Sequence, residues 1–135
     1  MKQPPHHPRA IVACKEAPLG RIILHTLTSL GAEAVWVPSH NHLTRRLLHD
    51  DYDIILTRFV APLLESRHIV RLLCGRHIGT PRTLYVLADN LTPQESIALL
   101  ERGVTQLLSL PISITRLERK LALEVNKSTS QCRRV

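Results

Sequence analysis

At 135 residues the chain is sized for one compact domain, and an apolar content of 44% is enough to fill that domain's core. A formal charge of +7 raises nucleic acid or an acidic protein surface as a partner, but aromatic residues are only 3%, which argues against a base-stacking platform. The cysteines, Cys14, Cys74 and Cys132, are odd in number and far apart, so neither a disulfide framework nor a CxxC zinc site is expected.

In chain order, residues 1–8 form a lead expected to be disordered, because Pro4, Pro5 and Pro8 deny the backbone regular hydrogen bonds. It has no apolar stretch of the kind a secretory leader needs. AIVAC (10–14) is a short apolar run and predicts a first strand. From Pro18 to Leu30 the positions Leu19, Ile22, Ile23, Leu27 and Leu30 follow helical spacing, with Gly31 as the stop. AEAVWVP (32–38) predicts a second strand closed by proline, and HNHLTRRLLHDD (40–51) an amphipathic helix carried by Leu43, Leu47 and Leu48.

YDIILT (52–57) is the third predicted strand, and a third helix is expected from Pro62 to about Arg76. RTLYVLA (82–88) predicts a fourth strand. Thr92-Pro93-Gln94-Glu95 reads as a helix start, with Thr capping, Pro in the first turn and Glu reaching back; Gly103 ends that helix. VTQLLSL (104–110) predicts a fifth strand, and Ile114, Leu117, Leu121 and Val125 mark a last helix. The folded domain should thus span 9–126, with 127–135 a polar tail or linker. No apolar run approaches the ~18 residues that cross a bilayer, so this segment is expected to make no membrane contact, and the unpaired cysteines fit a reducing, cytoplasmic setting, stand-alone or as the cytoplasmic part of a membrane-bound kinase.

Strands that are apolar throughout rather than alternately are buried on both faces, so the sheet should be parallel and covered by helices on each side. Right-handed crossovers then predict a doubly wound, flavodoxin-like α/β sheet with strand order 2-1-3-4-5. Ligands in such sheets bind at the carboxyl ends of the strands where the order reverses, which places Lys15, Glu16 and Arg58 at the predicted site.

With that element order, several phrases resemble the receiver domain of bacterial two-component response regulators over residues 9–125. YDIILTRFVAP resembles the family's phrase in which strand three ends in the phosphoacceptor aspartate and a proline follows. LLERGVTQLLSLPIS resembles its run into a lysine–proline turn, with Gly103 and Pro111 at the matching places, and KEAPLGR resembles its acidic pair followed by a helix start. The resemblance implies an aspartate that takes a phosphoryl group, Mg²⁺ held by that aspartate and the acidic pair, a lysine on the phosphoryl oxygens and a hydroxyl that follows the phosphate.

Mapped onto this chain, the phosphoacceptor position is Arg58, and the acidic pair falls on Lys15 and Glu16, or on Cys14 and Lys15 if the loop slides by one. The hydroxyl position is Leu87, the lysine position Leu110 and the aromatic switch position Leu107. Arginine forms no acyl phosphate, and its fixed charge repels a divalent cation. A degenerate receiver site, with no metal and no cofactor, is therefore expected, and a direct Arg58–Glu16 ion pair is the expected replacement.

The sequence offers other chemistry too. Asp50, Asp51 and Asp53 precede the third strand or begin it, and Asp89 stands in a loop, so a displaced phosphoacceptor is the lesser alternative. His40-Asn41-His42 has ligand-like spacing, but a polar helix start explains it; His6 and His7 lie in the flexible lead, and His25 and His68 read as surface or half-buried residues. Cys14 is either a thiol activated by Lys15 and Arg58 or, more simply, a buried structural cysteine. The expected function is a phosphorylation-independent interaction module, not an enzyme, in a two-component or phosphorelay system, stand-alone or inside a hybrid sensor kinase. Its expected partners are a histidine kinase, phosphotransfer or receiver domain, met through Arg21 on the first helix and Arg116, Arg119 and Lys120 on the last. A basic nucleic-acid-binding regulator on the same fold is the alternative.

Overall fold

A computed structural model of the chain describes residues 7–58 and 83–132, with side chains to residue 127. Five parallel strands stand in the order β2-β1-β3-β4-β5: β1 (Arg9–Ala13), β2 (Glu33–Val37), β3 (Ile54–Arg58), β4 (Thr83–Ala88) and β5 (Gln106–Ser109). The described helices are α1 (Ala17–Ser29), α2 (His40–His49), α3 (Pro93–Arg102) and α4 (Ile114–Cys132). The expected doubly wound sheet is therefore the one observed, and the helix expected over 62–76 lies outside the described residues.

Two buried clusters, one on each face, hold the sheet between its helices. Val12, Ile54, Leu56 and Leu87 meet Ile23 and Leu27 of α1 and Leu117, Leu121 and Val125 of α4. On the other face Ile11, Ile55, Leu84 and Val86 meet Leu43 of α2 and Leu99 of α3. Burial on both sides is what an uninterrupted apolar strand requires.

Local chemistry sets the helix ends. Thr92 and Glu95 form a reciprocal capping box, with Pro93 in the first turn, and Gly103 closes α3 at φ +115°, a left-handed conformation that glycine adopts without strain. On α1 the buried stripe is Gly20, Ile23, Thr26 and Leu27, while Ile22 is 41% exposed. Gly20 belongs to the stripe because the Trp36 indole of β2 lies flat against it and leaves no room for a side chain.

The last helix runs on to Cys132, where the sequence pattern ends it near Val125 and leaves 127–135 as a tail. Apolar periodicity stops with the buried face. The backbone does not, because neither glycine nor proline follows to break it. No helix among the described residues is long and apolar enough to cross a membrane.

Candidate functional site

The carboxyl ends of β1, β3 and β4 deliver three charged side chains to one crevice. Arg58 closes β3, in register with Leu87 of β4. Its Nη1 donates to Asp89 Oδ1, just after β4. Toward the loop after β1, Nε lies 3.5 Å from Glu16 Oε2, and Nη2 donates to Glu16 Oε1 at 3.5 Å. One guanidinium thus joins two loops with the forked geometry that arginine offers to carboxylates. The expected Arg58–Glu16 contact is present, but it is half of the arrangement; Asp89 is the closer partner.

Each group's acidity reflects that contact set. The Asp89 carboxyl is held below its usual range by the Arg58 hydrogen bond. Glu16 is also held low, first by the hydrogen bond from Cys14, then by its own backbone N–H and the Arg58 charge. Asp89 also raises the pKa of Arg58, chiefly through the same hydrogen bond. Glu16 occupies the N-cap of α1, yet its side chain caps nothing there. Arg58 and Cys14 hold the carboxylate instead.

Cys14 lies beneath the cluster, 1% exposed, and its Sγ donates to Glu16 Oε2 at 3.0 Å. Burial, with the Glu16 hydrogen bond next, pushes the thiol up to about 11. The thiol is therefore protonated at neutral pH, in keeping with the simpler reading of a buried cysteine; of the activation weighed against it, Arg58 does lower the value, but by less than burial raises it. Lys15 is exposed on the rim.

Leu87 and Leu110 occupy the walls. Leu87 is fully buried beneath the sheet's edge, and Leu110, partly buried, packs toward the α1–α4 cluster. Leu87 borders the crevice with Arg58 and residues 88–91, and Leu110 borders it together with Leu19 and Pro111. Leu107 packs toward the α2–α3 cluster. Neither Leu87 nor Leu110 offers a donor to an anion. Among the described residues no group of three His, Cys, Asp or Glu side chains could hold a metal ion.

His40, weighed in the sequence only for the ligand-like spacing of His40-Asn41-His42, contributes in another way. Its Nε2 lies 3.1 Å from the Arg58 carbonyl and 3.2 Å from Thr57 Oγ1. A carbonyl only accepts, so Nε2 carries the proton and ties the start of α2 to the end of β3. Burial lowers the ring's pKa and the Arg58 carbonyl opposes that shift. Trp36 is a second contributor, its indole N–H donating to the Cys14 carbonyl at 2.8 Å.

Of the four alternative aspartates Asp89 is in the crevice, bonded to Arg58, and the other three fall elsewhere. Asp53 accepts from the Arg9 N–H at the amino end of β1, and Asp50 is the C-cap of α2, paired with Arg46 at 3.7 Å. The Asp51 carbonyl accepts from Arg9 Nη1 at that same end of the sheet. Of the proposed contact residues, Arg21 on α1 and Arg116 and Arg119 on α4 are exposed, on helices that cover the same sheet face. Lys120 is half-buried, its Nζ donating to Gln106 Oε1 at 3.5 Å.

No protein-family profile and no curated protein matches the sequence. Solved structures do match the fold. An orphan response regulator of H. pylori superposes with a TM-score of 0.77 at 21% identity, covering 90% of this chain and 99% of that one. A response regulator from Thermotoga maritima gives 0.75 at 15%, over 90% and 99%. An atypical orphan response regulator, described as revealing a phosphorylation-independent regulatory mechanism, gives 0.72 at 21%, over 87% and 95%. Strand order, layering and these superpositions together identify the fold of this chain as that of the response-regulator receiver domain.

Proposed function

We propose that this domain is a regulatory protein-interaction module of a two-component or phosphorelay pathway that works without phosphorylation. The reading rests on Arg58, whose guanidinium occupies the carboxyl end of β3 and is bonded to Glu16 and Asp89. A positive charge held there repels Mg²⁺, and an arginine gives no acyl phosphate. The clamp also fixes the loops after β1 and β4 to one another, so the domain holds one conformation and signals by what docks on it. Lys15, Leu87 and Leu110 complete the degenerate receiver site, since none supplies the metal ligand, hydroxyl or amine that the chemistry needs.

Function then lies on surfaces. Arg21, Arg116 and Arg119, with Lys120 beside them, form the candidate contact face for a histidine kinase, phosphotransfer or receiver domain. The host is a stand-alone adaptor or a hybrid sensor kinase in the cytoplasm. The test is a set of amide NMR spectra recorded with Mg²⁺ and then with beryllofluoride, beside acetyl phosphate labelling read by mass. Unchanged spectra and no added phosphoryl group are expected. Saturable shifts around Lys15, Arg58 and Leu87, or stoichiometric labelling, would overturn the reading.

A further inference from the structure

Charge is unevenly placed among the described residues, and its largest positive excess lies on α4. At the crevice Lys15 and Arg58 are matched by Glu16 and Asp89, a group with no net charge. Glu33, Asp51 and Asp53 gather with Arg9 at the amino edge of the sheet. On the face covered by α2 and α3, Arg45 and Arg46 stand with Asp50, and Arg102 with Glu95 and Glu101. α4 carries Arg116, Arg119, Lys120 and Lys127 against Glu118 and Glu124. Glu124 is buried and turned inward to Tyr85 and Thr83, which leaves Glu118 to offset four cations at the surface of the helix.

Leu123 stands in the middle of those cations. Residues three, four and seven apart share one face of a helix, so Lys120, Arg119 and Arg116 lie on the turns before Leu123 and Lys127 on the turn after it. Glu118 is five positions away and points to another side of the helix. Leu123 is nevertheless 67% exposed. Arg116, Arg119 and Lys127 form no ion pair among the described residues, and Lys120 reaches the neutral Gln106 of β5. Neither the stretch 103–113, which runs through β5 into α4, nor the sequence of α1 contains an acidic residue that could join them.

We infer that this patch docks a protein partner whose surface offers Leu123 an apolar socket rimmed by carboxylates. An apolar centre inside a charged rim is the anatomy of a protein interface. A nucleic-acid backbone would answer the cations but give Leu123 nothing to bury against. A second copy of this chain, joined through α4 about a two-fold axis, would lay cation against cation. The inference rests on the reading of the domain as an interaction module and deepens it, giving the contact face an anchor and the partner a chemistry.

The test uses the full chain and a helical peptide of ~18 residues with leucines along one face and glutamates beside them. Two control peptides carry glutamine for every glutamate or alanine for every leucine, and a ~16-base-pair DNA duplex is the third control. In amide NMR titrations the first peptide is expected to bind with a Kd of ~10–100 µM, with shifts centred on Arg119, Lys120, Leu123 and Lys127. Leu123→Ser, an exposed change that leaves the buried face of α4 intact, should weaken it roughly tenfold. Arg119→Gln should weaken it about threefold, and less so at high salt. Both control peptides and the duplex should bind at least ~fivefold more weakly than the first peptide. No saturation by ~1 mM, an unchanged Kd in Leu123→Ser, duplex binding as tight as that of the peptide, or dimerisation of the chain through α4 would each overturn the inference. A Mg²⁺ or beryllofluoride response would instead overturn the phosphorylation-free reading and leave this patch in place.

Discussion

Gly20 on α1 sets two opposed effects against each other, and the structure decides which wins. Glycine inside a helix costs roughly 0.5–1 kcal/mol relative to alanine, so propensity alone makes Gly20→Ala stabilising. A Cβ placed there, however, would lie 2.4 Å from Trp36 Nε1 and 2.7 Å from Cδ1. If the indole stays, the overlap costs about 1–3 kcal/mol. If it swings away, the Cys14 carbonyl loses its donor, a penalty of about 1–3 kcal/mol for a buried acceptor. Either route exceeds the propensity gain. A net loss of about 1–2 kcal/mol is expected, or roughly 4–8 °C in Tm for a domain of this size. Urea and thermal melts followed by far-UV circular dichroism measure it without relying on the displaced indole. The Trp36→Leu background supplies the control: with the indole gone, Gly20→Ala should become neutral or stabilising. A stabilised single variant, or an equal loss in both backgrounds, would refute the packing account.

Three further outcomes follow from the same contacts. Tyr85 and Thr83 donate to the two oxygens of Glu124 at 3.0 and 2.9 Å, and Glu124 is 7% exposed, so Tyr85→Phe should cost about 1–3 kcal/mol in urea melts by stripping a buried carboxylate of one donor. His40 has a folded pKa below its ordinary 6.5, so its contribution is complete above pH 6.5, declines below it and is gone once pH has fallen through the lower, folded value; Glu16, held below 4.5, adds a second loss beneath pH 4.5. His40→Asn should remove the first step of a pH–stability profile and keep the second. Arg58→Asp puts a third carboxylate beside Glu16 and Asp89, so ~10 mM Mg²⁺ should raise the Tm of that variant and leave the parent unchanged; a parent that gains stability with Mg²⁺ would contradict the clamp.

The scaffold was readable because its determinants are local. Apolar runs at 54–56 and 84–87, the Thr92–Glu95 capping box and Gly103 each announce themselves within a few residues, and strand order follows from crossover handedness. The partnerships at the crevice were only half legible. Glu16 could be matched to Arg58 because both flank the order reversal. Asp89 follows β4, and its nearness depends on the lateral register of β3 with β4, which no stretch of sequence states. The Trp36–Cys14 and Tyr85–Glu124 bonds are likewise contacts across 22 and 39 residues, invisible to any periodicity. The seven helical residues after Val125 hid differently: polar letters look like an end, though nothing in them stops a helix.

The clamp at Arg58 has one more implication, for how information could pass through such a domain. If the domain works without phosphorylation, as proposed, a crevice whose counter-ion is written into the polypeptide borrows nothing from solution: neither chelators nor swings in phosphodonor supply would have anything there to remove or add. A labile bond gives a message a lifetime, and on that reading this crevice is without such a clock. What the molecule reports would then be carried by its abundance and by which neighbour occupies it, making it a fixed piece around which the timing of other components is set.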